Sequence, residues 1–262
     1  SDPAQGPSRL AQLRDQLHRD GLDGFLVPRA DAHQGEYVAA RDARLSWLTG
    51  FTGSAGFCVA LKDRAGVFVD GRYRLQVKQQ VDACFTLVDW PETGLADWLL
   101  AQDTKPRTLG FDPWLHTVSE IKSLHQKLAD QIQLIPVAKN LIDRIWPNQP
   151  VTSNQPITAH PLEYAGESAS DKRARCAAIL EQAADHSAFL SLTDSIAWLL
   201  NIRGADIPRV PVALCFAIAV AKSSNDTTPS PSTSKARNWS IAWSASFLLS
   251  VPCAHTKLPS YR

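Results

Sequence analysis

A seven-residue phrase of the form W-L-x-[G/N]-[F/I]-x-G occurs twice in the chain, as Trp47-Leu48-Thr49-Gly50-Phe51-Thr52-Gly53 and again as Trp198-Leu199-Leu200-Asn201-Ile202-Arg203-Gly204. Each copy is followed by Val-Ala-Leu in an apolar run, Val59-Ala60-Leu61 after the first and Val212-Ala213-Leu214 after the second. A short helix, a glycine turn and a core strand therefore recur in the same order. A chain that repeats this order builds two homologous domains.

The bulk properties permit two such domains. The chain has 262 residues and is 44% hydrophobic, the composition of an ordinary globular protein. Its 27 Lys+Arg and 26 Asp+Glu nearly cancel and form no basic run, which argues against a nucleic-acid partner. No stretch approaches the roughly 18 apolar residues of a membrane span, and residues 1–9 lack the apolar core of a signal peptide, so the expected location is cytoplasmic. The cysteines Cys58, Cys84, Cys176, Cys215 and Cys253 form no C-x-x-C pair. Four sit in apolar or helical patterns, which predicts reduced, buried thiols instead of a disulfide framework or a zinc site. Methionine is absent.

Periodicity places the elements. Leu10, Leu13 and Leu17 share one helical face, with Ser8 as a candidate cap and Gly21 as a stop. A buried strand covers 24–27, a hairpin joins strands 57–61 and 65–69 through Lys62-Asp63-Arg64, and a helix follows over 73–81. A strand over 85–88, a helix over 95–100 and a strand over 108–111 come next. Thr117 and Glu120 form a capping box before the stripe Val118, Ile121, Leu124 and Leu128, which precedes a strand over 132–137. Short alternating strands and helices predict an α/β fold, and the hairpin makes the sheet mixed.

Between Trp146 and Pro161, four prolines among Asn, Gln, Ser and Thr predict an extended linker. The expected organisation is a first domain over 1–146, a linker over 147–161 and a second, incomplete domain over 162–220. The second domain reads as a helix over 168–184, a strand over 188–192, a helix capped by Thr193 and ending at Leu200, and a strand over 212–220. Residues 221–262 turn to Ser, Thr, Pro and scattered Trp without a period. Two readings of this tail stand open: a disordered extension, or a frameshifted one. For the second, codons exist for residues 227–235 whose neighbouring frame encodes Asp-Ala-Val-Thr-Leu-Tyr-Ile-Lys, an alternating strand pattern.

The segments Val27-Pro28-Arg29-Ala30-Asp31-Ala32-His33-Gln34-Gly35-Glu36-Tyr37, Thr49-Gly50-Phe51-Thr52-Gly53-Ser54-Ala55-Gly56 and Val69-Asp70-Gly71-Arg72-Tyr73 resemble the N-terminal half of long, three-domain Xaa-Pro aminopeptidases (aminopeptidase P). So do residues 160–168 and 194–204, in family order. The resemblance implies two tandem creatinase N-terminal-like α/β domains, each a mixed sheet flanked by helices. In that family a further "pita-bread" domain binds two divalent metals, usually manganese, through two Asp, one His and two Glu. There, a metal-bridging water cleaves the bond between an N-terminal residue and a proline in second position. That ligand set has no match in this sequence. The expectation is a non-catalytic portion that shapes substrate access and a possible homodimer interface, acting on peptides with proline second only within the intact enzyme. The alternatives are a non-enzymatic creatinase-like binding module and an amidinohydrolase of the creatinase type, the latter disfavoured by the Trp-bearing second domain.

Two residues carry substrate-binding expectations implied by this resemblance. Arg72, where a strand gives way to a helix, suits a substrate carboxylate or carbonyl, against the plainer reading of an ion pair with Asp70. Glu36 suits a substrate's free amino group, against the plainer reading of a loop residue that holds the Gly35 turn. No residue is assigned a catalytic or metal-binding role: His33, His116, His125 and His160 lack metal spacing. Gly50, Gly53 and Gly56 fit a tight turn better than a phosphate loop, and Ser54 lacks a nucleophile elbow. Trp47 and Trp198 read as core residues.

Overall fold

The Leu10, Leu13 and Leu17 stripe lies on α1 (Gly6–Asp20), which buries all three completely, a contribution of roughly 1.5–3 kcal/mol for each side chain. The structure is a computed structural model that describes residues 2–221 and the backbone of 247–250. It divides into two units, Ser1–Thr152 and Ser153–Arg262. Gly21 ends α1 in the left-handed region at φ 66°, but the helix begins at Gly6, so Ser8 lies inside its first turn and Gln5 takes the cap position without a side-chain bond.

In the first unit α1 leads to β1 (Gly24–Pro28), α2 (Arg44–Thr49), β2 (Phe57–Leu61), β3 (Ala65–Val69), α3 (Arg74–Gln80), β4 (Thr86–Asp89) and α4 (Leu95–Leu100). The unit continues with β5 (Thr108–Phe111), α5 (Val118–Leu128), β6 (Gln133–Pro136) and α6 (Leu141–Ile145). Six strands form one mixed sheet in the order β4-β3-β2-β1-β5-β6, antiparallel at β1/β2 and β2/β3 and parallel elsewhere. Alternation along the strands divides the core. Phe25, Val27, Cys58 and Ala60 pack with Leu10 and Leu48 on one face. Leu26, Val59, Leu61 and Phe68 meet Leu99 and Leu128 on the other. The capping box of Thr117 and Glu120 forms as the sequence predicts.

The second unit contains β7 (Thr158–Ala159), α7 (Leu162–Ala165), α8 (Ala169–Gln182), β8 (Ser187–Leu190), α9 (Thr193–Leu200), β9 (Ile202–Arg203), β10 (Phe216–Val220) and β11 (Phe247–Ser250). An antiparallel sheet runs β11-β10-β8, and β7 pairs with β9. Part of the expected linker is thus strand, because Thr158 and Ala159 pair with Arg203 and Ile202. Within the tail, residues 247–250 form β11, which pairs with β10; the stretch read as frameshifted, 227–235, lies outside the described residues.

Three local readings are corrected. Thr193 is the first helical residue of α9 and is buried, while Leu192 takes the cap position. The strand expected over 212–220 begins only at Phe216. Before it, Val212 donates to the Val210 carbonyl at 2.9 Å and Leu214 to Asp206 at 2.8 Å, a turn that satisfies the backbone without a sheet. Trp198 is 49% exposed and so is not a core residue, whereas Trp47 is partly buried and stacks on Trp146 at 5.2 Å.

The repeated phrase has a physical cause. Gly50 ends α2 at φ 85° and Asn201 ends α9 at φ 50°, the left-handed cap that glycine and asparagine tolerate. A Cβ at Gly50 would lie 2.4 Å from the Gln80 carbonyl, so this cap has no room for a side chain. A cation from the preceding long helix covers each tryptophan. The Arg9 guanidinium sits 4.7 Å over the Trp47 ring and donates to the Trp47 carbonyl. Lys172 Nζ sits 4.5 Å over the Trp198 ring and donates to the Trp198 carbonyl at 3.0 Å. In both units one side chain donates to a carbonyl in the last helical turn and makes a cation–π contact.

Candidate functional site

The carboxyl ends of β1 and β3 lie beside the start of β2, because Pro28 pairs with Phe57 and Phe57 with Phe68. Loops leaving such strand ends carry side chains that the sheet fixes but does not bury. After β3, Asp70 accepts from the Arg72 amide at 2.9 Å and caps the turn formed by Gly71, Arg72 and Tyr73. Its carboxylate also receives Arg72 Nη2 at 2.7 Å. This hydrogen bond raises the arginine pKa and holds the Asp70 carboxyl below its ordinary range. The Arg72 side chain is 67% exposed and lies over the Tyr73 ring at 5.2 Å.

After β1, Asp31 is fully buried and organises the next turn. Its Oδ1 accepts from the His33 amide at 2.9 Å and the Gly35 amide at 3.1 Å, with Gln34 at φ 56° between them. The Asx turn delivers Glu36 to the surface, where its charge acts on Arg72. Glu36 is the weakest of the charges that act on Arg72, and Arg72 is already paired to Asp70. Residues missed in the sequence support them. Tyr73 OH and Ser54 Oγ lie 2.5 Å apart, and this bond lowers the tyrosine pKa. Asp31 leaves only a general turn signal, an Asp ahead of the Gly35 turn, and its burial emerges only with the fold.

Next to this cluster, Arg29, Val38, Asp42, Leu45, Phe51 and Gly53 line a cavity of about 200 Å³. Phe51 meets Tyr73 edge-on at 5.6 Å, so the cavity wall and the Arg72 turn form one surface. Below it Arg44 is buried, with Nε 2.7 Å and Nη2 3.0 Å from the Asp143 oxygens and Nη1 2.9 Å from Asp42. The arrangement offers a cation and a carboxylate on an exposed edge.

The histidines do not converge. His33 is buried in the turn, and His116 packs edge-on against Phe111 at 5.9 Å with its buried Nε2 lacking a hydrogen-bond partner. Among the described residues no group of three or more His, Cys, Asp or Glu is placed to hold a metal ion, so a metal pair does not fit them. Cys58, Cys84, Cys176 and Cys215 are free, and burial raises the Cys84 and Cys215 thiols to about 11. No described helix is long and apolar enough to cross a membrane.

Burial holds the His116 imidazole below its ordinary pKa, against the opposing pull of Glu120 and Asp112. Below the unfolded value, about 6.5, the unfolded chain binds the proton that the folded chain refuses, so stability falls as pH drops through that value. Urea midpoints of the first unit are expected to decrease from pH 7.5 to 5.5. His116→Phe, which keeps the ring contact with Phe111, should flatten that dependence.

Comparison with known proteins gives two matches to the creatinase/prolidase N-terminal domain, over residues 9–145 and 148–228. A probable Xaa-Pro aminopeptidase P of Talaromyces marneffei is 37% identical over 80% of this chain and 33% of its own length. Aminopeptidase P1 of Arabidopsis thaliana is 36% identical over 82% of this chain and 34% of its own. Among solved structures, an X-prolyl aminopeptidase from Caenorhabditis elegans, described as a cytosolic enzyme with a di-nuclear active site, superposes with a TM-score of 0.78. It shares 30% identity and covers 83% of this chain and 38% of that one. The chain spans about a third of the length of the curated relatives it matches.

Proposed function

Because this chain belongs to the creatinase/prolidase N-terminal domain family, matched over residues 9–145 and again over 148–228, we propose that it is the non-catalytic N-terminal portion of a Xaa-Pro aminopeptidase. The observation that carries the reading is the superposition on the Caenorhabditis elegans enzyme, which uses 83% of this chain and only 38% of the other. Bond cleavage then belongs to the rest of such an enzyme, where two divalent metals, manganese by expectation, would supply the activated water. No hydrolytic step is assigned to residues of this chain.

Its part in the reaction is to hold and admit the peptide. Arg72, pre-set by Asp70 and the Tyr73 ring, takes a substrate carboxylate or carbonyl, and Glu36 beside it takes the free amino group. Opposite charges at one exposed edge suit a short zwitterionic peptide. The enzyme acts in the cytoplasm as a homodimer, on peptides with proline in second position. The test is an assay of the purified 262-residue chain with a Xaa-Pro peptide and added manganese. No proline-specific turnover is expected, and turnover by this chain alone refutes the assignment.

A further inference from the structure

We infer that the cavity at the end of β1 binds a free α-amino acid with a small apolar side chain: Arg29 takes its carboxylate, Asp42 its ammonium, and Val38, Leu45 and Phe51 its side chain. The inference stands on this cavity alone and not on the peptidase reading. Both charges line the same space of about 200 Å³, yet they do not pair with each other. Arg44 Nη1 engages Asp42 Oδ1 at 2.9 Å, and Asp42 Oδ2 has no hydrogen bond among the described residues. Arg29 is half-buried, and its side chain makes no hydrogen bond or ion pair among the described residues. Its neighbours Arg41, Arg44 and Arg72 are all bonded.

A half-buried cation and a carboxylate with a spare oxygen carry a desolvation cost that the chain itself leaves uncompensated. A zwitterion compensates both at once, whereas a simple anion or cation compensates one and adds net charge to the cavity. The carboxyl side favours an ammonium further. Burial, partly offset by Arg44, raises the Asp42 pKa, and the charge of Asp31 raises it again. Asp31 is itself buried with Oδ2 lacking a partner, so two carboxylates share one neighbourhood short of positive charge. Size selects the rest of the ligand. An apolar cavity of about 150 Å³ encloses a benzene ring, so one of about 200 Å³ admits about eight or nine non-hydrogen atoms, the size of valine, proline or leucine. Leu45 and Phe51 belong to the core of the first unit, so the apolar wall is preformed. Gly53 completes it with backbone, since a Cβ there would collide with the Phe51 and Tyr73 rings. The place suits a ligand as well. The chain runs outward from β1 through β2, β3 and β4, then returns to add β5 on the other side of β1, and open α/β sheets bind small molecules outside the carboxyl end of the strand where the order reverses.

The full chain, isotope-labelled, is titrated with L-leucine and followed by NMR. Saturable shifts are expected at Val38, Phe51 and Gly53. Removing either charge of the ligand, with N-acetyl-leucine or leucinamide, should weaken binding at least about tenfold, and glycine should bind more weakly than leucine. Arg29→Gln alters a side chain that bonds nothing else in the fold, so its spectrum away from the cavity should match the parent. It should weaken leucine at least about tenfold and leave the residual binding of leucinamide, which has no carboxylate, unchanged. Absence of saturable shifts, or leucine binding that survives Arg29→Gln, overturns the inference. So does a leucyl-proline dipeptide that binds the same residues more tightly than leucine, which would make the cavity part of a peptide cleft. The peptidase assignment has its own turnover assay and stands or falls separately.

Discussion

Arg44→Ala is expected to lower the unfolding free energy of the first unit by about 3 kcal/mol, near the low end of the range for breaking a buried ion pair. The guanidinium is nearly inaccessible, and its fork meets both Asp143 oxygens and one of Asp42. Burial alone would lower the arginine pKa, yet hydrogen bonding and attraction from Asp143, with Asp42 behind it, raise it overall. The charge is therefore better placed in the fold than in water. These bonds join α2 to α6 across a sequence separation no local contact spans, so the loss falls on tertiary structure. Truncation leaves Asp42 largely buried without its cation.

The Asp42 carboxyl already has a raised pKa, through burial first, which the Arg44 charge offsets, and through its neighbour Asp31. A carboxyl whose folded pKa exceeds its unfolded one binds its proton more readily when folded. Its contribution is complete below the unfolded value and is lost as pH rises through the folded one. Without Arg44 that pKa rises further, so the deficit of the variant should be largest near neutral pH and shrink on acidification. Urea titrations of both proteins across pH, read by the stacked Trp47 and Trp146, check this. Arg44→Lys keeps the charge and loses the fork, and should recover only part of the loss. An unaltered midpoint for Arg44→Ala would mean that the network is ornamental to stability.

The sequence shows the regular elements well and the side-chain roles poorly, for a physical reason. Leu10, Leu13 and Leu17, the hairpin around Lys62 and the Thr117–Glu120 box are local patterns with a period or a cap, and each forms where it is read. The repeat shows two related units, because a left-handed cap and a tryptophan leave a mark within seven residues. Long-range contacts leave no such mark. That Arg44 meets Asp143, or that Ser54 meets Tyr73, depends on how strands order in the sheet. Val212 and Ala213 read as strand because they are apolar, and they are buried, but the backbone bonds of Val212 go to Val210 and Asp206 in a turn. Burial was legible there and pairing was not. At the candidate site the positions of Arg72 and Glu36 followed from motif and loop, whereas the buried Asp31 that shapes the Glu36 turn emerged only with the fold.

Lys172→Ala is expected to cost the second unit about 3 kcal/mol, enough to unfold it while the first unit stands. The side chain is 2% exposed, and its ammonium gives hydrogen bonds to the Trp198 carbonyl at 3.0 Å and to Asn201 Oδ1 at 2.7 Å. Asn201 in turn donates to the Glu167 carbonyl at 2.8 Å, so one cation ties the start of α8 to the end of α9. Alanine strands Asn201 Oδ1, leaves the Trp198 carbonyl with only the Asn201 amide, removes a favourable charge from the negative end of the helix dipole, and leaves the space of the methylene stem. Arg9 does the same work over Trp47, but it is only partly buried, and the first unit rests on a six-stranded sheet with apolar cores on both faces. The equivalent Arg9→Ala should therefore cost less and leave a folded unit. The second unit has a small core around Ile196, Cys215 and Ala217, which leaves little reserve. Limited proteolysis separates the two outcomes. The Lys172→Ala chain should be cut throughout the second unit and retain a fragment ending between residues 146 and 161, while Lys172→Met, which keeps the stem and loses the bonds, should fall between it and the parent. Equal resistance of the variant across both units would show that the cation under Trp198 does not hold α8 to α9.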